Sequence, residues 1–206
     1  NYAVGYDNVD VKAATGRGIV VTNTPGVLTD STADMAWALL FSVCRRVVEG
    51  DRITRAGKFM GWAPLFLLGG DIVGKTLGII GAGRIGTAMA MRSRGWCMKV
   101  LYTTHTNKNA VLEEMLGAQK VDLETLLRTS DFISIHTPLT EKTKHLIGAR
   151  ELAMMKKTAY LINTARGAVI DEAALVEALR KKVIAGAGLD VYEEEPKLKP
   201  GLTALE

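Results

Sequence analysis

The stretch Thr76-Leu77-Gly78-Ile79-Ile80-Gly81-Ala82-Gly83-Arg84-Ile85-Gly86 decides the fold. A short apolar run bounded by glycine reads as a buried strand. A Gly-x-Gly-x-x-Gly triplet follows directly, and an Ala- and Met-rich helical stretch to Arg94 follows the triplet. In that position each glycine has a task. Gly81 makes the tight turn, Gly83 lets backbone approach a pyrophosphate, and Gly86 lets the helix pack closely on the strand. The helix start then turns free amides and a positive dipole end toward an anion.

Outward from this stretch the pattern alternates. Strands are expected at 99–102, 131–136, 159–163 and 184–191, with helices at 109–117, 122–129, 151–157 and up to Lys181. Asp122 and Asp171 are the N-cap residues of two of these helices. Continuous apolar strands between amphipathic helices imply an α/β fold, a doubly wound parallel sheet covered on both faces. Upstream, 18–23 (GIVVTN), closed by Pro25-Gly26, reads as a strand and turn. Ser31-Thr32-Ala33-Asp34 reads as a cap, with the Ser31 hydroxyl on the Asp34 amide. Met35, Leu39, Val43 and Val47 then follow at helical spacing until Gly50 ends the run. Residues 56–74 read as a loop.

Composition excludes several classes. The 206 residues are 48% hydrophobic and 23% charged, with a net charge of +4. These values suit a globular chain and exclude a disordered tail or a basic nucleic-acid arm. Nucleic acid is not an expected partner, because the charge excess is small and spread along the chain, and neither is a membrane, because the longest apolar run, 35–44, is about half a membrane span. Two cysteines, Cys44 and Cys97, exclude a disulfide scaffold and a Cys-rich metal site. They suit a reducing compartment, and the expected location is cytoplasmic.

Ligands of such sheets bind outside the carboxyl ends of the strands. The residues there are 81–86, Thr104, His136, Thr137, Pro138, Asn163, Thr164, Ala165, Arg166, Gly167 and Asp190. Arg166, just past a buried strand, suits a two-pronged grip on a carboxylate, although an ordinary surface arginine fits composition equally. The second strand leads into Thr103-Thr104-His105-Thr106-Asn107-Lys108 without an acid. An acid there would accept both ribose hydroxyls of NAD, whereas a hydroxyl and cations attract a 2′-phosphate. NADP(H) is therefore favoured, with NAD(H) still open.

Taken together, Gly81–Gly86, Asn163-Thr164-Ala165-Arg166-Gly167 and Gly188-Leu189-Asp190-Val191-Tyr192-Glu193-Glu194-Glu195-Pro196 resemble the D-isomer-specific 2-hydroxyacid dehydrogenases. Gly5-Tyr6-Asp7-Asn8-Val9-Asp10, Thr22-Asn23-Thr24-Pro25 and 33–40 extend the resemblance over essentially the whole chain. Gly61-Trp62-Ala63-Pro64 and the non-acidic second strand are most similar to glyoxylate/hydroxypyruvate reductases. The resemblance implies a Rossmann-type dinucleotide-binding domain over 29–206 and the end of a second α/β substrate domain over 1–28. It implies hydride transfer between NAD(P)H and a small 2-keto or 2-hydroxy acid. Arg166 matches the arginine that grips substrate, Val4 and Gly5 the loop that holds the carboxylate, and Glu195 the glutamate paired with a catalytic histidine. Thr32, Gly81, Gly83, Arg84, Ile85, Gly86, Thr104, His105, Thr106, Thr137, Pro138, Thr164, Ala165 and Asp190 match cofactor positions. A homodimer is implied, with the helix from Met35 and the Trp62 loop at the contact; the plain alternative makes Trp37 and Trp62 core residues.

The family's general acid lies in a Pro-His-Ile-Gly segment that nothing here matches. His105, His136 and His145 stand elsewhere. The chain opens without Met, so the expectation is a truncated record with that segment beyond Glu206, and little activity from these residues alone. Two alternatives share the motifs: a dinucleotide-sensing protein-binding module like the C-terminal-binding-protein corepressors, and a 3-phosphoglycerate dehydrogenase. The latter would have an acid at Thr104.

Overall fold

In the computed structural model, which describes residues 1–105 and 107–205, a six-stranded parallel sheet forms the centre of the chain. Helices α1 (Val11–Gly16), α2 (Thr29–Cys44) and α3 (Val47–Arg55) precede it. The chain then runs β1 (Thr76–Ile80), α4 (Arg84–Arg92), β2 (Lys99–Thr103), α5 (Ala110–Leu116), β3 (Gln119–Lys120) and α6 (Leu123–Thr129). It ends through β4 (Phe132–Ile135), α7 (Ala149–Met154), β5 (Tyr160–Asn163), α8 (Glu172–Arg180) and β6 (Gly186–Leu189).

The strand order is β3-β2-β1-β4-β5-β6. The direction of winding reverses between β1 and β4, which opens a crevice at their carboxyl ends. Every residue of β4 is buried, as both faces of the sheet are covered. Leu77, Ile79, Val100, Tyr102, Phe132 and Ile162 pack toward α2, α4 and α5. Ile80, Ile133, Ile135 and Leu161 pack toward α6, α7 and α8. The Asp122 and Asp171 side chains accept the Thr125 and Ala174 amides, as their spacing predicts. The last strand is shorter than 184–191, α7 begins two residues before the expected helix and ends at Met154, so 155–157 are not helical, and the two-residue strand β3, with both residues exposed, carries no apolar signal.

Four expectations upstream of β1 are corrected. Residues 18–23 form no strand. They run beside residues 1–4, with Thr24 N–H on the Ala3 carbonyl at 3.1 Å and Asn23 Nδ2 on the Val4 carbonyl at 2.8 Å. No sheet edge is beside them to bury their apolar side, and Val20 is 85% exposed. Helix α2 begins at Thr29, so Ser31 lies inside its first turn and donates to the Leu28 carbonyl at 3.2 Å instead of capping. The buried stripe of α2 is Ala33, Ala36, Trp37, Leu40 and Cys44, while Met35 and Val47 are exposed. Finally, Gly50 does not end a helix. The break comes at Arg46, in left-handed backbone at φ 54°, and α3 runs through Gly50.

The amino-end edge of the sheet is clamped by Asp131. Its carboxylate accepts the Thr76 amide at 2.9 Å and the Lys156 ammonium at 2.8 Å. Burial pushes this carboxyl up, but Lys156 and the Thr76 amide more than offset it, so it lies below the usual range. Asp131→Ala is expected to cost about 1–3 kcal/mol at neutral pH. Stability tied to a lowered carboxyl is present above its unfolded value near ~4 and is lost as pH falls through the native value. Urea unfolding of wild type and variant should therefore differ at pH 7 and converge in acid; a gap that persists below pH ~2 would remove the clamp's ionic character.

Candidate active site

The glycine triplet sits at the crevice in the geometry its spacing predicts. Gly81 has φ 98°, and a Cβ there would meet the His136 carbonyl carbon and oxygen at 2.7 Å. A Cβ at Gly86 would fall on the Gly81 carbonyl oxygen. Gly83, the residue before α4, faces open space. Helix α4 has no side-chain cap and no acid in its first turn, so the first amides, at Arg84 and Ile85, point outward. Arg84 is exposed and Ile85 is partly buried.

A second loop is tied to this one by a residue that motif reading passed over. Asn109 Nδ2 donates to the Ala82 carbonyl at 3.0 Å and the Thr87 hydroxyl at 2.8 Å, and its Oδ1 accepts the Leu112 amide at 3.1 Å. The Asn109 amide donates to Tyr102 Oη at 2.8 Å, and that hydroxyl donates to Glu113 at 2.8 Å. The available signal was Asn109's place before a helix, where Asn caps. Thr104 is partly buried and His105 exposed on this loop; Thr106 lies outside the described residues. Lys108 Nζ stands 3.9 Å from Glu113.

At the end of β4, His136 Nε2 lies 2.8 Å from the Ser134 hydroxyl. Burial alone pushes this imidazole down to about 4, so it is neutral at physiological pH. Thr137 is buried and Pro138 exposed, and the Pro138 carbonyl accepts the Thr143 hydroxyl at 2.7 Å.

After β5, Asn163 shapes the turn that presents Arg166. Its Oδ1 accepts the Ala165 amide at 3.0 Å and its Nδ2 donates to the Arg166 carbonyl at 2.9 Å. The Thr164 hydroxyl is buried with no hydrogen-bond partner among the described residues. Arg166 Nη1 donates to the Ala165 carbonyl at 2.8 Å, and Nε donates to Asp7 Oδ1 and Oδ2 at 3.0 and 3.2 Å. Gly5 lies under the guanidinium: a Cβ there would be 2.7 Å from Arg166 Cζ. Arg166 therefore meets the Val4–Gly5 segment across 159 positions of sequence from Asp7. Thr32 lies in the first turn of α2, partly buried.

The segment after β6 is held by carboxylates. The Asp190 amide donates to the Asn163 carbonyl at 3.0 Å. Glu172, buried at the start of α8, accepts the Glu193 amide at 2.7 Å, and its other oxygen has no partner among the described residues. Burial holds the Glu172 carboxyl above its ordinary range. Glu193 Oε1 is 2.6 Å from His145 Nε2. Glu195 accepts the Tyr192 amide at 2.9 Å within its own loop. Among the described residues no hydrogen bond joins Glu195 to Arg166 or to His105, His136 or His145. Among those residues, too, no helix is long and apolar enough to cross a membrane.

The sequence pattern of the D-isomer specific 2-hydroxyacid dehydrogenase, NAD binding domain, matches residues 37–205. A glyoxylate reductase of Thermococcus litoralis is 59% identical over 199 residues, covering 95% of this chain and 60% of that protein. The crystal structure of a glyoxylate reductase from Paecilomyes thermophila superposes with a TM-score of 0.89 at 43% identity, over 98% of this chain and 60% of that one. An NADPH-dependent glyoxylate/hydroxypyruvate reductase from Sinorhizobium meliloti, in complex with NADP and malonate, gives 0.87 at 38% identity, over 100% of this chain and 63% of that one. The chain thus spans about 60% of the length of the first relative it matches. The glycine triplet at the β1–β4 crevice, the strand order and these likenesses place the chain in the D-isomer-specific 2-hydroxyacid dehydrogenase family, with a Rossmann-type NAD-binding domain.

Proposed function

We propose that the protein to which this chain belongs reduces glyoxylate or a similar small 2-keto acid with a nicotinamide dinucleotide, and that residues 29–206 hold the dinucleotide while 1–28 belong to the substrate side. The observation that carries the reading is Arg166 fixed at the crevice against Gly5. The crevice fits a dinucleotide on its own terms. Among the described residues it offers a helix start with no side-chain cap, open space at Gly83, and the buried, unpartnered Thr164 hydroxyl. The α4 amides, with Gly81, Gly83, Arg84, Ile85 and Gly86 around them, would hold the dinucleotide's pyrophosphate. Thr32, Thr137, Pro138, Thr164, Ala165 and Asp190 are the residues that would hold the rest of the molecule. When bound, the cofactor supplies the hydride.

The other tasks belong to the chain. Arg166 grips the carboxylate and polarises the keto oxygen with parallel N–H donors, and the Val4–Gly5 backbone completes the carboxylate site. Glu195 is assigned the part of orienting and charging a proton-donating histidine; in this structure it accepts the Tyr192 amide and, among the described residues, bonds to none of His105, His136 and His145. His136, held neutral down to about pH 4, is not that acid, and His145 already faces Glu193. The absence of an acid at Thr104 and His105 supports NADP(H) over NAD(H). The loop with Met60 and Trp62, 91% and 87% exposed, supports a homodimer through that apolar surface, while Trp37 is core. Free thiols at Cys44 and Cys97 fit a reducing, cytoplasmic setting.

The test is consumption of NADPH by the complete gene product with glyoxylate, followed by absorbance, with NADH and hydroxypyruvate as comparisons. Turnover that is faster with NADPH supports the reading. No turnover of any 2-keto acid with either cofactor overturns it.

A further inference from the structure

We propose that Asp7 is a positioning residue that selects which edge of Arg166 meets the substrate, and that its charge weakens the site's hold on anions. The proposal rests on the reading of Arg166 as the carboxylate clamp. A guanidinium carries five N–H groups: one on Nε and two on each Nη. Asp7 takes the Nε donor with both oxygens, at 3.0 and 3.2 Å, and the Ala165 carbonyl takes one Nη1 donor. Among the described residues nothing accepts the other three.

A planar carboxylate can be gripped along the Nε–Nη2 edge or along the Nη1–Nη2 edge. Asp7 closes the first of these. On the second, both nitrogens keep an N–H that neither Asp7 nor Ala165 accepts, and the Nη2 end rests against Gly5, where even one Cβ would collide with the guanidinium. Asp7 therefore does more than tether residues 1–28 to the β5 turn. It turns the open edge of the fork toward the Val4–Gly5 backbone and holds it before substrate arrives, which is the preorganisation that orientation requires.

The same carboxylate opposes the ligand. A 2-keto acid brings a negative charge to a guanidinium that already faces one. Arg166 and Asp7 are 36% and 31% exposed, so the repulsion is screened but not abolished. The consequence separates two roles that simple loss of structure would merge. Asp7→Asn keeps an oxygen for Nε and removes the charge. Asp7→Ala removes both.

The experiment compares wild type, Asp7→Asn and Asp7→Ala in the complete protein with saturating NADPH at low ionic strength. It reads KM and kcat for glyoxylate and the inhibition constant of the inert monoanion oxamate. Asp7→Asn should lower KM and the oxamate constant about three- to tenfold, and lower kcat as well, with the affinity gain shrinking in 0.5 M salt. Asp7→Ala should raise both constants, because the released fork loses its aim. If Asp7→Asn leaves the oxamate constant unchanged, or raises it as Asp7→Ala does, Asp7 is only a strut and the proposal fails. Should Asp7→Ala not fold, the sign of the Asp7→Asn shift decides alone. Arg166→Lys that binds oxamate like wild type removes the clamp itself and this proposal with it; a weakened Arg166→Lys beside an unchanged Asp7→Asn removes only the role of Asp7.

Discussion

On the proposed reading, Arg166→Lys in the complete protein is expected to lower kcat/KM for a 2-keto acid about a hundredfold or more, although the positive charge is retained. The reason is geometric. In the native site Nε is held by Asp7 and Nη1 by the Ala165 carbonyl, which orients a rigid plane with three donors left over. An ammonium has no plane, cannot be held from two sides, and offers a point charge where a fork is needed. A displacement of about 1 Å at the reacting group is enough for a hundredfold loss. Steady-state kinetics with glyoxylate checks this, alongside a thermal melt. The Asn163 side chain grips the turn through the backbone of residues 165 and 166, so the turn keeps its shape and the melting temperature should barely move. Near-normal turnover of the variant would show that substrate does not meet this side chain.

The second large effect is expected at Gly86, and Gly83 is its control. A Cβ at Gly86 coincides with the Gly81 carbonyl oxygen and stands 3.0 Å from Ile79 Cγ2. Neither obstacle can rotate away: one is backbone of the tight turn and the other belongs to a buried strand. Gly86→Ala must push α4 off β1, at a cost of ~3 kcal/mol for forced overpacking. In a chain of this size that lowers the melting temperature by roughly 6–12 °C. It would also shift the helix amides that would hold a pyrophosphate, so dinucleotide affinity is expected to fall with stability. Gly83→Ala meets none of the described residues within 4 Å and sits in extended backbone with φ −78°, so the fold is expected to tolerate it. Its methyl instead projects into the space a pyrophosphate would occupy. The paired result expected is loss of nicotinamide dinucleotide binding in both variants, measured by fluorescence or calorimetry, with a lowered melting temperature only in Gly86→Ala. Equal stability of the two would mean that the triplet does not divide its work between packing and ligand.

The parts of this molecule legible in its amino acids are those set by local rules. A glycine triplet between an apolar run and a helical pattern admits few geometries, and Gly81, Gly83 and Gly86 adopt the expected one. Asp122 and Asp171 cap their helices because capping needs only a side chain three residues from an amide. Upstream of β1 the same local rules misled. The β-branched run at 18–23 has strand character but no sheet edge beside it, and strand pairing is a long-range event. Ser31 had a capping neighbour in sequence, but α2 starts two residues earlier, so its hydroxyl turned to Leu28.

The candidate site divides along the same line. Residue types and order marked Arg166 and the positions at the strand ends, and the family resemblance marked Glu195. Composition and motif spacing carry no information on distance between residues far apart in the chain, so the meeting of Arg166 with Asp7 and Gly5, the bracing of Asn109 on the glycine loop, and the Glu172 grip on the Glu193 amide came only from folding. Each joins elements separated by many residues, and such contacts exist only once a parallel sheet has brought the carboxyl ends of its strands to one edge.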